Sequence, residues 1–119
     1  MAEHNILGRS GEKIAQQYLL ENEYKILDCN WRFEKKEIDI IAQKDNLIIF
    51  VEVKTRKNDF YGSPEESVNE NKQRFLVEAA EAYLVSENIN CESRFDIISI
   101  IFHSGQSYKI YHIESAFIP

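Results

Sequence analysis

No apolar run in the 119 residues approaches the roughly 18 that a membrane-spanning helix requires. The opening stretch, MAEHNILGRSGEK, has neither the basic start nor the apolar centre of an export signal, so the expected setting is the cytoplasm, with no membrane partner. Cysteine is nearly absent. Cys29 and Cys91 stand alone, outside any CxxC or Cys/His grouping, which argues against a zinc site and for two reduced thiols. Only four glycines occur and none builds a phosphate loop, so NTPase chemistry has no support. His4, His103 and His112 are scattered and form no ligand set. Base is not in excess either: the formal charge of −6 weighs against a protein that holds nucleic acid through overall charge. There is no internal repeat, low-complexity tract or linker.

What is present fits an ordinary globular chain, 44% apolar and 29% charged, most simply read as one domain over residues 1–119. Its charges are unevenly spread. The stretch from Arg32 to Arg74 is close to balanced, and the excess of acid lies outside it. A modest phosphate-binding surface remains available there.

Periodicity gives the elements. GEKIAQQYLLENEY carries Ile14, Ala15, Tyr18 and Leu19 on one helical stripe, with Ser10 as an N-cap and Glu12 in the first turn, where a carboxylate suits the helix dipole. YKILDCNWRF reads as a strand that Asn30 could end early. EIDIIAQ and NLIIFVEVKTR follow as a hairpin around Lys44, Asp45 and Asn46. After the polar loop KNDFYGSPEES, Leu76, Ala79, Ala80 and Tyr83 form the stripe of a second helix, starting either from a capping box at Ser63 or from Asn69. RFDIISIIF is apolar on both faces, as a covered interior strand should be, and SYKIYHI is a weaker last strand. The order is α-β-β-β-α-β-β. Its second helix suits a crossover between parallel strands, giving an α/β protein with a mixed β-sheet flanked by helices.

The hairpin concentrates charge where a buried strand should have little. Glu37 and Asp39 share one face of their strand, and Ile48, Phe50, Glu52 and Lys54 share one face of the next. A two-residue turn at Lys44-Asp45 sets Asp39 opposite Phe50 and Glu37 opposite Glu52. A turn at Asp45-Asn46 sets Asp39 opposite Glu52 and Glu37 opposite Lys54. Either even-length turn gathers all four charges on one face, whereas a three-residue loop separates them. Two carboxylates about 5 Å apart repel by roughly 3 kcal/mol at an effective dielectric of 20, and one lysine cannot neutralise three acids. A hard cation could, held by Asp39, Glu52, the backbone carbonyl of Val53 and waters. Mg²⁺ or Mn²⁺ so held would polarise a phosphoryl oxygen and acidify water, with Lys54 orienting that water: the chemistry of phosphodiester hydrolysis. As isolated charges, the four residues read equally as cross-strand ion pairs on a solvated sheet end. Ile48 and Phe50 on the same face favour charges that close an apolar row.

The pattern of Asp39 followed by Glu52-Val53-Lys54, on the second and third strands of such a chain, resembles the PD-(D/E)XK nuclease superfamily. More closely, Gly11-Glu12, EIDIIA at 37–42, FVEVKTR at 50–56, GSPEESV at 62–68, Lys72 and RFD at 94–96 resemble the YraN-like family, small bacterial proteins placed in that superfamily. The resemblance implies a restriction endonuclease-like fold, with Asp39 and Glu52 as metal ligands and Lys54 as the catalytic lysine. It also sets Glu12 near the metal and Lys72 on the second helix facing the site. Two departures stand out: Ile38 where proline is common, and Lys36 where glycine is expected, the latter able to add a phosphate contact. Arg32, Lys36, Arg56 and Lys72 are the phosphate-contact candidates. Trp31, Phe33 and Tyr61 could stack on unpaired bases, though as strand-border aromatics they also suit rim packing. Asp96 reads as structural, paired with Arg94. The function implied is a metal-dependent nuclease acting on DNA, with structure-selective cleavage and a homodimeric site as further expectations. The alternative is a non-catalytic nucleic-acid-binding or protein-interaction module that keeps the fold.

Overall fold

In a computed structural model, which describes residues 3–57, 68–103 and 107–119 and only the backbone of residues 3–9, the chain forms a five-stranded sheet with one helix on each face. Helix α1 spans Glu3–Glu21, then β1 Lys25–Phe33, β2 Lys36–Lys44 and β3 Leu47–Arg56; α2 covers Glu70–Ser86, β4 Glu92–Phe102 and β5 Tyr108–Ile113. The strands lie in chain order across the sheet. All neighbours are antiparallel except β3 and β4, which run parallel and are joined by the α2 crossover. The expected order α-β-β-β-α-β-β is what the chain adopts.

Alternation explains the two cores. Ile40, Ala42, Ile49, Val51, Ile98 and Ile100 lie under Ala15 and Leu19 of α1. On the other face Ile48, Phe50, Phe95 and Ile97 lie under Leu76, Ala79, Ala80 and Tyr83 of α2. The middle strands are therefore apolar on both sides, because both sides are covered. Fully burying one such side chain is worth about 1.5–3 kcal/mol, so these rows anchor whatever polar groups sit at their ends.

Both helices stop in the same way. After α1, Glu23 takes a left-handed φ of 68°, and the amides of Glu23 and Tyr24 turn back to the carbonyls of Leu20 and Leu19. After α2, Asn88 does this at φ 53°, with Asn88 and Ile89 donating to Val85 and Leu84. These are Schellman closures, which satisfy carbonyls the helix end would otherwise leave open.

The helix starts differ from the sequence expectation in one case. Helix α1 begins at Glu3, so Ser10 is not its N-cap and Glu12 lies mid-helix, away from the dipole's positive end. Helix α2 starts at Asn69, whose Oδ1 accepts the Lys72 amide at 2.9 Å. Ser63 and Tyr61 lie outside the described residues. Asn30 does not end β1: it takes a left-handed φ of 50°, and the strand continues to Phe33.

Candidate functional site

The hairpin turn is Asp45-Asn46, Asp45 taking a φ of 56° that aspartate tolerates, and Lys44 pairs with Leu47. That register runs Gln43 to Ile48, Ala42 to Ile49, Ile41 to Phe50 and Ile40 to Val51. One step further lie Asp39 and Glu52, and there the ladder stops. The β1–β2 pairing continues to Lys36, and the β3–β4 pairing continues to Arg56. The sheet thus forks at Asp39 and Glu52: the first hairpin separates from the parallel pair, and the two carboxylates sit in the crotch.

The fork is held by side chains where backbone bonds run out. Asp39 Oδ2 accepts the Val53 amide at 2.8 Å, replacing the lost ladder bond. Glu52 is buried, 5% exposed, and Lys72 Nζ from the first turn of α2 lies 2.8 Å from its Oε2. At that distance Lys72 serves Glu52 both as a hydrogen-bond donor and as a counter-charge. Burial, then the neighbouring Glu52 carboxylate, pushes the Asp39 carboxyl up to about 9. Burial also acts upward on Glu52, but the hydrogen bond from Asp39 and the charges of Lys72 and Lys54 outweigh it and hold that carboxyl below its ordinary value. A proton on Asp39 and the ammonium of Lys72 beside Glu52 therefore meet the charge of the pair. Buried carboxylates in contact have few other ways to coexist.

Glu12 reaches this corner from α1. Asn30 Nδ2 donates to its Oε1 at 2.8 Å, and its charge is felt by Asp39. Asn30 stands between Cys29, which pairs with Ile40, and Trp31, which pairs with Ile38, and so faces Asp39 across the first hairpin. The helix can come this close because residue 11 is glycine: a Cβ there would overlap the Thr55 hydroxyl of β3. Neither contact was anticipated from the sequence. An asparagine inside an apolar strand run was the available signal for the first, and a glycine inside a helical run for the second.

Not all the expected residues converge. Glu37 does not join the cluster; the strands have parted before it, and it pairs with Arg32 at 3.3 Å on the outer side of the first hairpin. Lys54 stays on the Glu52 side of β3, exerting a weaker pull than Lys72. Val53 contributes its amide to Asp39, while its side chain packs toward the α1 core. Lys36 lies over the Phe75 ring at 5.1 Å, Arg56 ends β3 opposite Ile101, and Lys72 is committed to Glu52. Trp31 packs edge-on against Tyr83 and parallel to Phe33, and Phe33 meets Phe75, so these aromatics form rim packing. Among the described residues no three His, Cys, Asp or Glu side chains are grouped to hold a metal. Any cation would rest on the two carboxylates with backbone and water.

Residues 11–100, which include every residue of this corner, match the uncharacterised protein family UPF0102. The chain belongs to that family. Relatives span almost its whole length: UPF0102 protein FP2501 of Flavobacterium psychrophilum is 46% identical over 117 residues, covering 98% of each chain. A UPF0102 protein of Bacteroides thetaiotaomicron is 46% identical over 119 residues, covering all of this chain and 98% of its own. One from Clostridium beijerinckii is 43% identical over 113 residues, covering 93% of this chain and 92% of its own. The family thus reaches beyond one bacterial lineage. None of the described helices is long and apolar enough to cross a membrane.

Proposed function

We propose that this chain is a divalent-cation-dependent nuclease with a restriction endonuclease-like fold of the PD-(D/E)XK superfamily, acting on DNA phosphodiester bonds. One observation carries the reading: two carboxylates in contact, on adjacent strands, at the point where the sheet opens. A solvated ion-pair cluster would not need burial, and Glu52 is 5% exposed.

The residues fit a hard cation. Asp39 and Glu52 are oxygen donors side by side, and among the described residues the pair's excess negative charge is otherwise met by a proton, by Lys72 and, more weakly, by Lys54. Mg²⁺ or Mn²⁺ would be held by Asp39, Glu52 and the Val53 carbonyl, and when bound supplies Lewis acidity toward a phosphoryl oxygen and a more acidic water. The chain's own groups do the rest. The Val53 amide keeps the Asp39 carboxylate aimed into the fork. Lys54, two residues past Glu52 and on its side of the strand, orients the attacking water and stabilises negative charge developing on phosphorus-bound oxygens. Glu12, fixed by Asn30, adds a carboxylate at the edge of the site. Arg32, Lys36 and Arg56 supply positive charge for the DNA backbone, while Lys72 is engaged by Glu52, and with an overall charge of −6 that surface is local.

The test is a panel of duplex, single-stranded, flapped and branched DNA incubated with Mg²⁺ or Mn²⁺. Wild type is expected to cut at least one substrate, and Lys54→Ala to lose roughly a hundredfold or more of that rate while remaining folded, with a somewhat lower melting point. Cleavage by neither, with binding retained, would establish the non-catalytic module instead.

A further inference from the structure

The ion pair between Lys72 and Glu52 joins two unlike partners. The Glu52 side chain is 6% exposed, whereas that of Lys72, one turn before Leu76 on the sheet-facing stripe of α2, is 31% exposed and reaches Glu52 from the open end of that stripe. The backbone beneath Lys72 is pinned, its amide bonded to the Asn69 cap and the next amide, Gln73, to the Asn69 carbonyl. The ammonium hangs on a four-carbon stem from that fixed point, a compact charge with several rotamers within reach. It occupies Oε2 of the carboxylate that a cation shared with Asp39 would use. Two positive centres cannot occupy one buried oxygen without repulsion that the low dielectric of the corner magnifies.

We infer that Lys72 is the built-in counter-ion of this site: it neutralises Glu52 while no metal is bound and leaves Glu52 when a divalent cation arrives. This rests on the cation-dependent reading above and adds a competition to it. The apparent cation affinity is set below what the two carboxylates alone would give, and cation binding releases an ammonium at the rim of the fork.

The competition is measurable without any cleavage assay. Mn²⁺ is titrated calorimetrically, at fixed ionic strength, into the full chain as wild type, Lys72→Met, Lys54→Met, Glu52→Gln and Glu52→Gln with Lys72→Met. Lys72→Met is expected to bind roughly tenfold tighter than wild type, and Lys54→Met only about two- to threefold, since it removes the same charge without uncovering Oε2. The Lys72→Met gain should vanish in the Glu52→Gln background. In wild type, nitrogen-detected NMR of the lysine ammonium groups needs no variant: the Lys72 signal should move on Mg²⁺ addition with the midpoint of binding. Equal tightening in both lysine variants, unchanged affinity in Lys72→Met, or a Lys72 signal unmoved at saturation overturns the counter-ion role and leaves the cation site standing. Binding by none of the proteins overturns both.

Discussion

Two buried acidic centres lie at different places in this sheet, and they are built on opposite terms. Asp96 on β4, 2% exposed, is fully answered. Arg94 donates to both its oxygens at 2.8 and 2.7 Å, His112 Nε2 lies 2.7 Å from Oδ2, and the Ser115 amide donates to Oδ1 at 3.1 Å. The ring of partners is itself tied down: Arg94 also donates to the Tyr24 hydroxyl and pairs with Glu114, and His112 Nδ1 meets the Tyr18 hydroxyl at 3.0 Å. This knot joins the end of α1, β4, β5 and the tail, and the Ala116 amide adds a backbone bond to Phe95. Asp39 and Glu52 have instead one amide, one lysine and each other. A carboxylate whose acceptor sites are all used holds the fold together. A pair brought to neutrality by a single proton and a nearby lysine has no such ring of partners around it.

The largest effect that would sharpen this contrast is at Asp96. Asp96→Ala leaves the Arg94 guanidinium, 17% exposed, beside a hole and unpaired except for Glu114. The expected loss is about 3–5 kcal/mol, read as a lower urea midpoint with unchanged slope. A loss under 1 kcal/mol would mean the knot is decorative.

Acid should expose the same difference more gently. Burial acts to raise the Asp96 carboxyl, but His112, Arg94 and the Ser115 amide outweigh it and hold it below its ordinary value. Its stabilisation is therefore present above the unfolded-chain value of about 4 and is lost as pH falls from there toward the lower folded value. Stability measured from pH 6 downward should fall through that window in wild type, and the fall should be shallower in Asp96→Asn.

The smallest effect is expected at the other centre. Asparagine at position 39 can still accept the Val53 amide and can offer Glu52 the donor that a protonated Asp39 provides. Asp39→Asn should change metal-free stability by less than about 1 kcal/mol in either direction, against the several expected at Asp96. The same variant should lose the rise in melting temperature that Mg²⁺ or Mn²⁺ is expected to give wild type at constant ionic strength. A loss as large as that of Asp96→Ala would make Asp39 a structural residue and dissolve the contrast.

Much of the molecule was legible in the chain because it is written in short-range repeats. A period near 3.6 marks the buried stripes Ala15–Leu19 and Leu76–Tyr83, and apolar runs mark the covered strands. Strand parity, with a two-residue turn at Asp45-Asn46, is enough to bring Asp39 opposite Glu52, and the Asp96–Arg94 pair is two residues apart on one strand. Tertiary structure decided what parity cannot express. The fork after Ile40 and Val51 sent Glu37 outward to Arg32, although the sequence puts it on the same face as Asp39. The crossover of α2 chose Lys72 over Lys54 as the closest partner of Glu52. Close approach of α1, permitted by Gly11, brought Glu12 to Asn30, and His112, solitary in the sequence, became the link between Asp96 and Tyr18. Periodicity states which side of an element faces inward. Which group then meets which across elements far apart in sequence depends on where strands diverge and how far helices slide, and those are properties of the packed whole.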